Sequence, residues 1–118
     1  MKLDFDAMPE TAIPHFKGGD GEMRARMFWD GSTRLSRARL APGSSIGRHR
    51  HEGSSETIYV LSGRGTAYCD GAAEPLGPGQ CHFCPDGHEH QLVNDGAEDL
   101  VFFTVVPTLA GHGLASRP

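Results

Sequence analysis

The chain has 118 residues, 37% of them hydrophobic, which suits one domain with one core and is too little for two. A formal charge of −4 leaves no basic footprint, so nucleic acid is excluded as an expected partner. Sixteen Gly and eight Pro break the chain into short apolar runs, which favours an all-β fold over a helical one.

Residues 1–22, MKLDFDAMPETAIPHFKGGDGE, predict an N-terminal arm with one short strand, since acids, Pro9, Pro14 and a GGDG cluster leave little continuous pattern. No apolar run stands at the start. Neither a signal peptide nor a membrane segment is expected, and the cytoplasm is the expected compartment. His15 reads as a surface residue. Met23 to Gly31 reads as a strand and turn, and Leu35 to Gly43 as a second strand closed by Pro-Gly. Arg24 and Arg26 share one face, and so do Arg37 and Arg39. Either these arginines reach into the fold to pair with an anionic substrate, or they form an outward solvated stripe.

The stretch Gly43 to Gly63, GSSIGRHRHEGSSETIYVLSG, concentrates the chemistry. His49 and His51 are two apart, so in an extended strand their imidazoles share a face while Arg50 takes the other. EGSS then reads as a turn that reverses the chain, and ETIYVLSG as the returning strand. Glu56 opens that strand. If it shares the inward parity of Ile58 and Val60, a carboxylate joins the two imidazoles. Two His and one carboxylate form an open-sided ligand set for Fe(II), and mixed nitrogen and oxygen donors also suit Mn, Ni, Cu or Zn.

GTAYCDG and AAEPL read as a hairpin with Asp70-Gly71 at its turn, a dipeptide that accepts positive φ angles. Cys69, beside it, reads as inert. In GQCHFCPDGHEHQLVN, Gly79 to Asn94, Pro85 and Gly87 punctuate a turn between two short strands, and His90 begins the second. Cys81 and Cys84 sit on opposite faces of their strand, so a shared ligand role is not expected. His82 and Cys84 share a face and, if inward, would stand near His90. His88 reads as exposed. Three Cys without an export signal are expected as free thiols. Asp99 to Pro107 is an apolar run of strand length that should supply core. The main domain is therefore expected over 23–107, with 108–118 as a loose tail carrying an exposed His112.

The two histidine-bearing stretches resemble the motifs of the cupin superfamily. Gly43, His49-x-His51, Glu56 and Gly63 match the first motif, and Gly79, Pro85-x-Gly87, His90 and Asn94 match the second, with no insertion. Each of these ten positions would agree by chance about 5% of the time, so coincidence is a poor account. The resemblance covers about residues 43 to 94. It implies a small double-sheet jelly-roll β-barrel in which His49, His51, Glu56 and His90 ligate one divalent transition metal per chain. In similar small barrels an N-terminal arm often lies across a partner subunit, and the open sheet edges of so small a barrel predict a homodimer.

Cupins of this kind include dioxygenases, oxalate-processing enzymes, sugar-phosphate isomerases, lyases and proteins that only bind a small ligand. The reading carried forward is a metal-dependent, dioxygenase-like enzyme acting on a small oxygen-rich molecule such as an enol or carboxylate. In that reading Glu56 doubles as a catalytic base. The alternatives are isomerase or lyase chemistry on a sugar or small acid, or a binding module with no turnover.

Overall fold

Alternating apolar and polar side chains, broken at Gly and Pro, make strands of nearly all the regular structure among the described residues. The computed structural model describes residues 1–109, so the expected tail, His112 included, lies almost entirely outside the described residues. In order the elements are a 3-10 turn at Phe5–Ala7, β1 (Thr11–Pro14), a second 3-10 turn at Phe16–Gly18, β2 (Glu22–Trp29), β3 (Thr33–Leu40) and β4 (Ser45–Arg50). β5 (Glu56–Ser62), β6 (Gly65–Cys69), β7 (Ala72–Leu76), β8 (Cys81–Cys84), β9 (Glu89–Val93) and β10 (Leu100–Pro107) follow. A six-stranded sheet runs β1-β2-β3-β10-β5-β8, and a four-stranded sheet runs β4-β9-β6-β7. This is the expected all-β jelly-roll architecture. Its core joins Leu40, Val60, Leu100 and Phe102 of the larger sheet to Ile46, Ala67 and Leu92 of the smaller, all nearly sealed from solvent.

The β6–β7 hairpin forms where Asp70-Gly71 predicts it, with φ of 50° and 84° at the two turn residues. Pro75 is accommodated because β7 is an edge strand. The other two reversals differ from expectation. β4 and β5 do not pair with each other: β4 bonds to β9, and β5 to β10 and β8. Residues 51–55 carry the chain from one sheet to the facing one, and residues 85–88 do the same between β8 and β9. Turn chemistry marks where a chain bends, but the sheet that receives the next strand is chosen by distant partners. The two histidine-bearing stretches therefore meet across the barrel rather than within one ribbon.

A bulge sets which side chains of β4 face inward. Ile46 pairs with Leu92 and His49 with His90, so Gly47 and Arg48 together oppose Gln91. The extra residue switches the inward parity, letting Ile46 and His49 both face the barrel interior. The bulge is also where the 3-10 turn at Phe16–Gly18 presses closest. A Cβ on Gly47 would overlap the Lys17 carbonyl oxygen, and one on Gly19 would overlap the Ser45 carbonyl. Gly47→Ala is expected to destabilise the protein by about 1–3 kcal/mol, the usual scale for an added methyl that forces backbone to shift. An unchanged urea midpoint would show that this approach has slack.

The N-terminal segment lies on the outer face of its own six-stranded sheet, where the arginine pairs hold it. Arg26 Nη1 donates to the carbonyls of Phe5, Asp6 and Met8 at 3.0–3.2 Å. Arg37 reaches Asp6 at 2.6 Å, Arg39 pairs with Glu10 and Asp99, and Arg24 with Glu22. Phe5 packs edge-on against Phe103, their centroids 5.2 Å apart. The anion-clamp reading of Arg24, Arg26, Arg37 and Arg39 is corrected: β2 and β3 bury Met23, Ala25, Ala38 and Leu40, which are of opposite parity, so the four arginines point away from the interior.

Candidate metal centre

Four side chains converge at one end of the barrel interior. His49 comes from β4, His51 from the residue after it, Glu56 from the first position of β5 and His90 from β9. Glu56 has the inward parity of Ile58 and Val60, and all three are buried. One ligand atom from each of the four lies within 4.8 Å of the others, a group able to hold a metal ion. His90 Nε2 is 3.1 Å from His49 Nε2 and 3.1 Å from His51 Nε2, and Glu56 Oε1 is 3.1 Å from the Nε2 atoms of both His51 and His90.

The remote ring nitrogens show which way these imidazoles present their lone pairs. His49 Nδ1 donates to the Gly47 carbonyl at 2.8 Å, and His51 Nδ1 hydrogen-bonds with Ser54 Oγ, which can accept its proton, at 2.9 Å. Behind His90 stands a chain of two bonds. His82 Nδ1 donates to Glu74 Oε1 at 2.7 Å, which leaves His82 Nε2 to accept from His90 Nδ1 at 3.0 Å. His49 and His90 thus spend their protons on Nδ1 and turn Nε2 lone pairs to one point, and His51 Nε2 faces the same point with Ser54 Oγ available to accept its Nδ1 proton. Three such lone pairs and a carboxylate repel one another unless a cation lies among them. Two ligand atoms at right angles about 2.1 Å from one ion would be about 3.0 Å apart, close to the 3.1 Å spacing of the group. The donor set and its spacing fit a divalent transition ion.

Burial and charge tune the group. Without a metal, protons on Nε2 of His51 and His90 take the place of the cation: burial pushes the Glu56 carboxyl up, but hydrogen bonds and positive charge from those two rings together outweigh it and hold the carboxyl at about 2. Burial, aided by the charge of His90, depresses His49 against the opposing pull of its bond to Gly47. Both shifts favour the protonation states that metal ligation needs: an ionised carboxylate and a neutral imidazole.

Sequence parity left His82 and Cys84 open, and both face inward, 1% and 0% exposed. Burial pushes the Cys84 thiol up to about 12, so it is inert as a nucleophile or ligand near neutral pH. Cys81 is exposed on the opposite face, and all three cysteines are free thiols. His88 is half-exposed and paired with Asp70 at 2.6 Å. His15 is exposed and turns Nδ1 to the Gly19 carbonyl. Glu74, Trp29, Arg34 and Ser36 had not stood out in the sequence. Arg34 and Ser36 share the inward parity of Ala38 and Leu40, a signal that was present in the alternation of β3.

The metal-binding group opens onto a cavity of about 510 Å³. Phe16, Ile46, Phe102 and Val106 give it apolar walls, and Arg34 and Lys17 stand among its lining charges.

Three comparisons place this geometry. The model of the cupin domain matches residues 36–106. The oxalate-binding protein of Thermotoga maritima is 35% identical, over 80% of this chain and 83% of that protein. A Thermotoga maritima structure described as a "predicted oxalate decarboxylase" superposes with a TM-score of 0.87 at 31% identity, over 92% of this chain and 100% of that one. A sugar phosphate isomerase structure from Silicibacter pomeroyi shares the fold, with a TM-score of 0.73 at 24% identity over 91% of this chain and 75% of that one.

Proposed function

This chain belongs to the cupin family, and we propose that it is a metal-dependent protein whose His49, His51, Glu56 and His90 hold one divalent ion for a small oxygen-rich acid or enol. The observation that carries the reading is the convergence of three imidazole Nε2 atoms and one carboxylate oxygen at a cavity with Phe16, Ile46, Phe102 and Val106 among its walls. A bound ion would supply Lewis acidity and positions for two ligand oxygens and, if redox-active, a path to dioxygenase-like oxidation. Residues 23–107 carry this centre and most of its cavity walls, and residues 1–22 serve as the arm, which adds Phe16 and Lys17 to the lining.

The protein's own groups would divide the remaining work. His49, His51 and His90 are oriented by Gly47, Ser54 and His82, so the centre is organised before a ligand arrives. The apolar walls exclude water from the ligand's carbon skeleton. Glu56 is the catalytic base of this reading, and its depressed pKa sets a condition on that role. To accept a proton it must first give up its contacts with His51 and His90, so base strength rises only when the carboxylate is released.

A second reading is binding without turnover, supported by a relative that is itself described as oxalate-binding. The deciding experiment is elemental analysis of protein purified without chelator or a metal-affinity step, followed by oxygen-uptake assays with small enols and carboxylates. About one Fe, Mn, Ni or Cu per chain with oxygen consumption is the expected result. Zinc without oxygen uptake would move the reading to isomerase or lyase chemistry. Ligand-dependent stabilisation with no product would establish the binding module. No metal at all would defeat the centre.

The proposal includes a homodimer. β8 is an edge strand, and the outer face of β5 and β8 exposes Tyr59, Leu61 and Phe83 at 42%, 47% and 55%. Light scattering should return the mass of two chains; a monomer would refute it.

A further inference from the structure

The cavity is far larger than a two-carbon diacid needs. At about 510 Å³ it falls among sites that hold drug-sized ligands, roughly 300–1,000 Å³. Strand register shows what lies beyond the metal-binding group. Arg34 pairs with Trp29 on one side and Val106 on the other. Thr57 pairs with Val105, so Glu56 lies opposite Val106 on the far side of β10. Arg34 and Glu56 therefore stand on one row of the inner sheet face, two strands and about 10 Å of backbone apart. One row deeper come Met27, Ser36, Thr104 and Ile58.

Among the described residues, two groups on these rows have no hydrogen-bond or ion-pair partner. Arg24, Arg37 and Arg39 each have a carboxylate within 4 Å, but among the described residues Arg34 has none, and its guanidinium lies 5.8 Å from the Trp29 ring. Arg50, also on the lining, donates to the Gly87 carbonyl, and Glu52 is the acid beside His51 on the same lining. Ser36 is 3% exposed, lines the cavity, and its Oγ is buried with no hydrogen-bond partner. A buried hydroxyl left unpaired beside a cavity is matched by a ligand oxygen that enters it. An unpaired guanidinium on a ring is suited to a planar anion.

We propose, resting on the metal-centre reading above, that the ligand is a longer acid with two anionic ends. One end chelates the metal through a carboxylate and the oxygen on the neighbouring carbon. Its carbon chain runs along Phe102 and Val106, and its distal carboxylate pairs with Arg34 through one oxygen and accepts from Ser36 Oγ through the other. Arg34 and Ser36 then determine specificity without touching the metal.

The test is calorimetry on metal-loaded protein with 2-hydroxyadipate, with 2-hydroxyhexanoate, which has the same carbon chain and no distal carboxylate, and with oxalate. 2-Hydroxyadipate is expected to bind at least tenfold more tightly than 2-hydroxyhexanoate, and Arg34→Met to abolish that preference. Ser36→Ala is expected to weaken 2-hydroxyadipate severalfold while leaving the ligand-free melting temperature the same or higher, because the deleted hydroxyl has no partner to lose. Equal affinity for the two hydroxy acids, tighter binding of oxalate than of either, or a Ser36→Ala variant with undiminished affinity would each overturn the proposal and leave the metal centre standing. If the loaded protein binds none of the three, both the long-acid and the chelation readings fall. A protein that takes up no metal overturns the underlying reading first.

Discussion

Protein carrying His51→Ala is expected to hold its metal at least tenfold more weakly than the parent. Losses of about ten- to a hundredfold follow even when residues that only support a ligand are removed, so deleting a ligand sets that range as a floor. The fold should survive, because His51 lies just past the end of β4, and its side chain touches Ser54, Glu56 and His90 rather than the apolar core. Elemental analysis after dialysis and competition with a chromophoric chelator would measure the loss. His82→Ala is the informative comparison. His82 contacts His90 through its outer nitrogen and has no atom in the ligand group, so its removal should weaken metal binding less than His51→Ala does. An empty His82→Ala protein beside a loaded His51→Ala protein would show that the ligand set is wrong.

How far the residues alone could reveal this site depended on the range of the forces involved. The spacing of His49 and His51 needs only strand periodicity, and the Asp70-Gly71 turn needs only local backbone preference, so both were legible. The inward placement of Glu56 followed from its parity with Ile58 and Val60. The partners of β4 and β5 were not legible, because Gly and Ser between them permit a hairpin and a crossing equally, and the choice rests on β9 and β10 some forty residues on. The bulge at Gly47 was hidden for the same reason: it is visible only when Ile46 and His49 are both matched against β9. The outward arginines became interpretable once the arm supplied Asp6 and Glu10 as partners. Arg34, two residues before Ser36 on the face that turns inward, carried the signal that the Arg37 and Arg39 pair did not.

Metal affinity is expected to fall by more than tenfold between pH 7 and pH 5, and the reason separates the histidines from the carboxylate. A metal displaces protons from its ligands, so affinity is lost as pH falls through the range where those ligands protonate. Glu56 is held at about 2 and stays ionised throughout that interval, whereas an unperturbed histidine titrates near 6.5. His49 is depressed by burial, which delays its share of the loss to lower pH. Release should therefore begin below about pH 6.5 and be well advanced at pH 5. The metal-free fold follows a linked course. For His49 the unfolded chain takes up a proton more readily than the folded one, so stability declines as pH drops below about 6.5 towards the depressed folded value. For Glu56 the same sign applies lower down: its contribution is complete above about 4.5 and disappears as pH falls towards about 2. Equilibrium dialysis across pH 8 to 2, with melting curves of the metal-free protein at each step, would resolve the two. Metal retained to pH 4 and released only towards pH 2 would make the carboxylate the controlling ligand and remove the histidines from that role.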